Sequence, residues 1–279
     1  MKLNRRRFLA LMSSVLAGGV LASTAWLNFK NEVDELTVER VQIPVKNLAP
    51  GLEGFTIALM ADFHLYPFTQ LDLIQRAVTM TNDLSPDLTV LLGDYVWHEV
   101  EAIFDLAPAL ANLNAKHGVF SILGNHDLWT DVDTITTGLK EAGLPLLVNQ
   151  GLALPAGDTS LYLAGVDDGW SGKPDLVAAL DGAPDGVPVV LLAHEPDLAD
   201  EFSLDGRVTL QLSGHSHGGQ IRIPGNGAII TPYLSWNYDQ GLYNVNDMWL
   251  YANRGVGVTN VPVRFNCPPE ITEITLIRA

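Results

Sequence analysis

The sequence is poor in cysteine and in positive charge. A single cysteine, Cys267, stands among 279 residues. That excludes an intrachain disulfide and leaves stability to a hydrophobic core, which a chain of this length can build unaided. Cys267 itself reads as a small buried apolar residue. Lysine and arginine number 16 against 32 aspartates and glutamates. Five of those bases (Lys2, Arg5, Arg6, Arg7, Lys30) precede the first acid, Glu32, so the remainder holds 11 bases against 32 acids, a net charge of −21. So acidic a body repels phosphate backbones, which argues against a nucleic-acid binder; it could hold phosphate groups only through bound cations. No period of about 20–50 residues recurs and no low-complexity tract occurs. With 47% hydrophobic and 17% charged residues, the composition suits one larger α/β domain or two small ones.

What charge is present near the amino terminus is arranged as an address. Residues 2–7 carry four bases, and residues 8–27 carry no charge and are rich in Leu, Ala, Val and Gly. A basic segment followed by an apolar one reads as an export signal. The order Asn4-Arg5-Arg6-Arg7-Phe8-Leu9 resembles the twin-arginine signal, and the glycines and hydroxyl residues keep the run only mildly hydrophobic. The run is also about long enough to span a bilayer. Residues 1–30 are therefore expected to be a twin-arginine signal or membrane anchor, and residues 31–279 the functional domain.

The body repeats one device. Apolar runs end in metal-ligand chemistry, at the strand ends where α/β sheets carry their sites. Residues 36–45 alternate and predict a strand, at a sheet edge because of Pro44. Residues 55–61 predict a buried strand that ends in Asp62-Phe63-His64. A helix is expected over 69–84, stopped by Ser85-Pro86. The next strand, 88–92, ends in Gly93-Asp94. Strand, helix, strand implies a right-handed parallel crossover, which sets the two strand ends side by side. A helix over 99–113 precedes a strand at 119–123 and then Gly124-Asn125-His126-Asp127, where Asn supplies a hard oxygen donor. A helix over 130–142 and strands at 146–152 and 161–166 follow. Asp167-Asp168-Gly169 is an acidic turn that could hold a metal but reads rather as a surface loop. The strand at 187–193 delivers His194-Glu195-Pro196, with Pro196 suited to the first turn of a helix at 197–202. The strand at 208–212 delivers Ser213-Gly214-His215-Ser216-His217-Gly218-Gly219-Gln220. Five of the seven histidines thus follow an apolar strand, and neutral imidazole is the commonest metal-donating side chain; His98 and His117 read as surface residues. Beyond Gln220 the strands at 221–223, 228–230, 241–245, 248–252 and 271–277 read as antiparallel. The aromatic stretch 232–243 either packs on the sheet or lines a substrate site.

In their order, Asp62-x-His64, Gly93-Asp94, Gly124-Asn125-His126-Asp127, His194 and Gly214-His215-x-His217 resemble the calcineurin-like metallophosphoesterase superfamily over about residues 55–220. His194-Glu195-Pro196, Gly218-Gly219-Gln220 and residues 263–270 are similar to one branch of it. That branch comprises exported or membrane-anchored bacterial phosphoesterases; some relatives act on lipid-linked or UDP-sugar substrates, UDP-2,3-diacylglucosamine among them. The resemblance implies an α/β fold, a four-layer α/β/β/α sandwich with two mixed β-sheets, the C-terminal strands belonging to the second. It implies two divalent metal ions: Asp62, His64 and His217 hold one, Asn125, His194 and His215 the other, and Asp94 bridges them. Mixed imidazole and carboxylate ligands suit Mn, Zn or Fe. The implied reaction is hydrolysis of a phosphate ester or pyrophosphate bond by a hydroxide shared between the metals. His126, surplus to ligation, is expected to assist the leaving group, with Asp127 orienting or charging it. The expected partners are a phosphorylated small-molecule or lipid-linked substrate, the membrane and the twin-arginine translocase, and no nucleic acid. A nucleotide phosphohydrolase, and a metal-binding protein without turnover, are the competing readings.

Overall fold

The computed structural model describes residues 31–279, so the signal or anchor expected over residues 1–30 lies outside the described residues. Two sets of short, mostly buried strands fix the centre. In the first sheet β2 (Thr56–Met60), β3 (Leu88–Leu91) and β4 (Val119–Ser121) run parallel, with Ile57 opposite Leu88 and Leu91 opposite Ser121. β1 (Thr37–Val45) lies at the edge of this sheet, where Pro44 costs no ladder hydrogen bond. β13 (Glu270–Arg278) inserts between β1 and β2, parallel to the former and antiparallel to the latter. Thr37 is opposite Glu270 and Thr272 is opposite Leu59, so β1 begins at the same edge at which β2 ends.

The second sheet has the order β11-β12-β8-β7-β6-β5. Its members are β5 (Gln150–Ala156), β6 (Thr159–Gly165), β7 (Val189–Leu192), β8 (Val208–Ser213), β11 (Gly241–Val245) and β12 (Met248–Ala252). A two-stranded ribbon, β9 (Arg222–Ile223) with β10 (Gly227–Ala228), stands apart. Leu59, Val90 and Ile122 pack against Leu163, Val190 and Leu212 in a core between the sheets. The outer face of the first sheet, with Met60 and Leu91, is covered by helices Leu71–Asp83, Ile103–Leu110 and Val132–Glu141. The outer face of the second is covered by the short helices Leu176–Ala179 and Ala199–Phe202. The layers are therefore α/β/β/α with two mixed sheets, as the resemblance implies. No described helix is long and apolar enough to cross a membrane.

Several expectations are corrected. The C-terminal strands are not uniformly antiparallel: β12 pairs with β8 in parallel, Leu250 opposite Gln211. Nor do they all join the second sheet, since β13 crosses to the first. Alternation reports that a segment is a strand but not which neighbour it meets. The strand expected from 146 starts at Gln150; Leu146 makes only an isolated bridge to Ser121. The helix expected over 99–113 is a 3₁₀ turn, Val100–Ala102, leading into Ile103–Leu110. An unexpected short helix, Asn125–Thr130, starts within the third ligand block.

Candidate metal centre

All seven expected ligands converge where β2, β3, β4, β7 and β8 end. The chain reaches that geometry through unusual backbone. Asp62, His64, Asp94, His215 and His217 all have positive φ, between 43° and 68°. Left-handed conformations cost an L-residue roughly 1–2 kcal/mol each, and non-glycine residues so held cluster at functional sites. Backbone bonds between neighbouring loops support them. The Asp62 amide donates to the Gly93 carbonyl at 3.0 Å, the His64 amide to Asp94 at 3.1 Å, and the Gly214 amide to His194 at 3.0 Å. Glycine is required where side chains crowd: a Cβ on Gly124 would fall on Asp94 Oδ1 and the His194 ring, and one on Gly255 would strike Asp62.

Three groups could hold a cation: Asp62 with His64 and His217, Asp94 with His194 and His215, and His64 with Asp94 and His126. His64 Nε2 lies 3.0 Å from His217 Nε2, and His217 Nε2 is 3.5 Å from Asp62 Oδ1. Asp94 Oδ2 lies 3.4 Å from His64 Nε2 and 3.2 Å from His194 Nε2, between the first two groups. Two tautomers are set by carbonyls. His194 Nδ1 faces the Leu92 oxygen at 2.6 Å, leaving Nε2 for a ligand, and His215 Nε2 faces the Tyr233 oxygen at 2.7 Å, leaving Nδ1. His194 Nε2 and Asn125 Oδ1 are buried without an aligned hydrogen-bond partner. Native structures rarely tolerate such orphans unless an ion or water completes them, so the residues present fit divalent cations.

The electrostatics agree. Burial pushes His215 down to about 3, and pushes His64 and His217 well below the ordinary histidine value, so these three rings are neutral, the form that ligates a metal. Burial also opposes charge on His194, but Asp94 and Asp62 outweigh it and hold its pKa well above the usual value. Burial, with the charge of Asp94, raises Asp62 to about 7. In Asp94 the surrounding His194 and His126 overcome burial and hold the carboxyl well below its usual range.

His126 lies beside this centre, close enough to Asp94 and His64 for the three to share a cation. Its ring is packed by Trp97 at 4.4 Å and Trp129 at 4.8 Å, centroid to centroid. Asp127 does not orient it. The fully buried Asp127 carboxylate accepts the amides of Asp94 at 2.9 Å, Tyr95 at 2.8 Å and Gly124 at 2.9 Å. It ties the second ligand turn to the third, which makes it a positioning residue rather than a partner of His126. Asp168 is corrected as well: it is buried rather than in a surface turn, and it accepts the Ser171 amide beside Glu195, whose carboxylate accepts the Gly169 amide at 2.8 Å. His98 is exposed and His117 half-buried.

Residues outside the blocks complete the site. Arg264 is fully buried, and its guanidinium donates to the carbonyls of Arg254 (2.7 Å), Gly257 (2.6 Å) and Cys267 (3.0 Å), which holds the loop behind Asp62. A cavity of about 440 Å³ opens over the centre, lined by Asp94, Asn125, His126, His215 and His217 and walled by Trp97, Trp129, Trp170, Ile229, Ile230 and Val261. The tryptophans occur singly along the sequence, so only the fold shows that they share a wall. Of the aromatic stretch, Pro232 lines the cavity, and Tyr233 stands 5.5 Å from Trp170 and 5.4 Å from Trp236, centroid to centroid.

Comparison with known proteins gives a consistent picture. Residues 55–219 match the family described as Calcineurin-like phosphoesterase. The uncharacterized metallophosphoesterase YkuE of Bacillus subtilis (strain 168) is 35% identical over 99% of this chain and 98% of its own length. The phosphodiesterase YaeI of Escherichia coli (strain K12) is 31% identical over 99% of this chain and 100% of its own. A transmembrane protein with metallophosphoesterase domain from Danio rerio is 32% identical over 95% of this chain, which spans 63% of that protein. Among solved structures, the Thermus thermophilus sulfate thiohydrolase SoxB aligns with a TM-score of 0.50 at 13% identity, over 76% of this chain and 53% of that one, a likeness of fold alone.

Proposed function

Because the chain belongs to the calcineurin-like phosphoesterase family, a family of hydrolases acting on phosphorylated substrates, we propose that it is a dinuclear-metal phosphoesterase. The observation that carries this reading is the position of Asp94 Oδ2, 3.4 Å from His64 Nε2 and 3.2 Å from His194 Nε2. One carboxylate oxygen within reach of both ligand groups suits a bridge between two cations. Asp62, His64 and His217 would hold one and Asn125, His194 and His215 the other, Mn, Zn or Fe by ligand chemistry. When bound, such a pair supplies a water of lowered pKa and neutralises phosphoryl charge. The chain's own residues do the rest. The Leu92 and Tyr233 carbonyls fix the tautomers of His194 and His215. Trp97 and Trp129 hold the His126 ring at the cavity, where its N–H can serve the departing oxygen. The apolar cavity wall favours a phosphoester that carries an apolar group, such as a lipid-linked substrate or an acylated UDP-sugar, over a bare nucleotide. Residues 4–9 support export by the twin-arginine route to the cell envelope.

The test is to load purified protein with Mn, Zn or Fe, count the metal, and assay aryl phosphodiesters and monoesters beside nucleotide and lipid-linked phosphates. Two metals per chain with hydrolysis, and loss of both in Asp94→Asn, is the expected result. Two metals without turnover of any of these substrates would favour a binding protein.

A further inference from the structure

We propose that the mouth of the metal centre is a membrane-docking face that seats on a lipid bilayer. In the body, whose net charge is −21, residues 223–238 and 255–263 carry no charged side chain at all. The fold brings these two segments to one rim: Ile229, Ile230 and Pro232 from the first and Thr259 and Val261 from the second line the same cavity. Their apolar side chains face water. Ile230 is 77% exposed, Trp236 68% and Ile229 57%, with Tyr233 and Val261 at 45% each. Trp129 and Trp170, also exposed, continue the patch toward the ligands. Exposed apolar patches rimmed by polar surface mark interaction sites. Tryptophan and tyrosine among aliphatic side chains is the composition of the membrane interface, and the lack of charge spares this one face the repulsion an acidic body would meet at anionic lipid.

A second observation names the occupant. The described body begins at this rim. The Glu32 amide donates to the Arg264 carbonyl at 3.0 Å, and the next residue, Phe265, accepts the Arg222 amide at 3.0 Å, at the foot of the ribbon that carries Ile223, Ile229 and Ile230. The uncharged run of residues 8–27 ends only five residues before Glu32, at most ~18 Å of extended chain. A run long enough to span a bilayer thus joins the body beside this uncharged face. A tether at the opposite end of the sheets would leave the mouth facing water.

The experiment uses the full chain in phosphatidylcholine vesicles. Nitroxide labels are placed at Ile230→Cys and Trp236→Cys. A reference label goes at Leu204→Cys, 74% exposed and just before β8 starts, at the end of the sheets away from the metal centre. The native Cys267 is fully buried and does not compete for the label. Collisions with oxygen dissolved in the membrane should exceed those with an aqueous nickel chelate several-fold at 230 and 236, with the reverse at 204. Nickel access at 230 and 236 matching that at 204 overturns the proposal. So does protection from both reagents, which would mean that a second copy or another protein covers the face. The Trp26→Phe chain, unlabelled, gives a second readout: brominated acyl chains should quench the part of the emission that comes from Trp129, Trp170 and Trp236, and absence of quenching also counts against docking. Neither measurement depends on hydrolysis, so this proposal and the phosphoesterase reading fail separately.

Discussion

His64 and His217, 153 positions apart in the chain, bring their Nε2 atoms to within 3.0 Å of each other. Both rings are held neutral by burial, and both residues have left-handed backbone. Two neutral imidazoles can share at most one N–H between those atoms, yet Asp62 and Asp94 also approach them at 3.5 and 3.4 Å. A cation accounts for all four groups at once. His64→Ala and His217→Ala should each lose one metal of two, while Asn125, His194 and His215 retain the other. Elemental analysis of the purified variants checks this, and a full complement of two in either would remove the residue from the ligand set.

Proton competition makes the affinity depend on pH. Asp62, raised to about 7, and His194, raised well above the usual histidine value, both carry a proton in the metal-free protein at slightly acid pH. A ligand must give up that proton before it binds a cation. Affinity should therefore rise with pH through neutrality, and binding should release protons. Calorimetry in buffers of different ionisation enthalpy measures the release, and affinity that is flat from slightly acid to slightly alkaline pH would contradict these protonation states.

The convergence of the candidate ligand blocks was legible in the sequence because each obeys a local rule: an apolar strand, a small residue, then a donor. Parallel crossovers follow from strand-helix-strand order, so the side-by-side placement of Asp62 and Asp94 could be anticipated before any coordinates. What was not legible is non-local. Pairing of β13 with β1 and β2 joins segments more than 200 residues apart, and no property of either strand names the other. The tryptophan wall is invisible for the same reason. Asp127 misled because adjacency to His126 suggested contact, whereas on the helical turn Asn125–Thr130 its side chain faces the backbone amides of the preceding loop.

That difference can be measured. Asp127→Ala leaves three buried amides without their acceptor, and each buried group left unsatisfied costs about 1–3 kcal/mol, with incomplete additivity. A marked fall in the denaturation midpoint and weaker metal retention are expected, with activity lost alike on good and poor leaving groups. A stable, metal-replete Asp127→Ala protein that fails only on poor leaving groups would return Asp127 to the proton-transfer role.

The proposed export would rest on Arg5 and Arg6, the pair that resembles the twin-arginine signal. Arg5→Lys/Arg6→Lys protein should remain in the cytoplasm, as should the native chain in cells without the twin-arginine translocase. Fractionation with an accessible protease reports either outcome, and undiminished export in such cells would identify a different route.

His126 offers the sharpest separation of chemistry from assembly. Its ring stands between Trp97 and Trp129 beside Asp94, and burial lowers its pKa, with Asp94 opposing that shift. If it serves the departing oxygen, His126→Ala keeps both metals and loses roughly 10²–10⁴ in kcat, the usual worth of positioned acid–base help. The loss should shrink for nitrophenyl esters, whose leaving group departs without a proton. The lowered pKa adds a second signature: the protonated form disappears as pH rises through it, so native activity on alkyl esters should decline with pH where activity on nitrophenyl esters does not. A ligand variant such as His194→Ala should instead lose metal and act alike on every substrate. Metal loss from His126→Ala would make His126 a third ligand beside His64 and Asp94, a role their proximity permits. An unchanged rate on poor leaving groups would leave it with neither function.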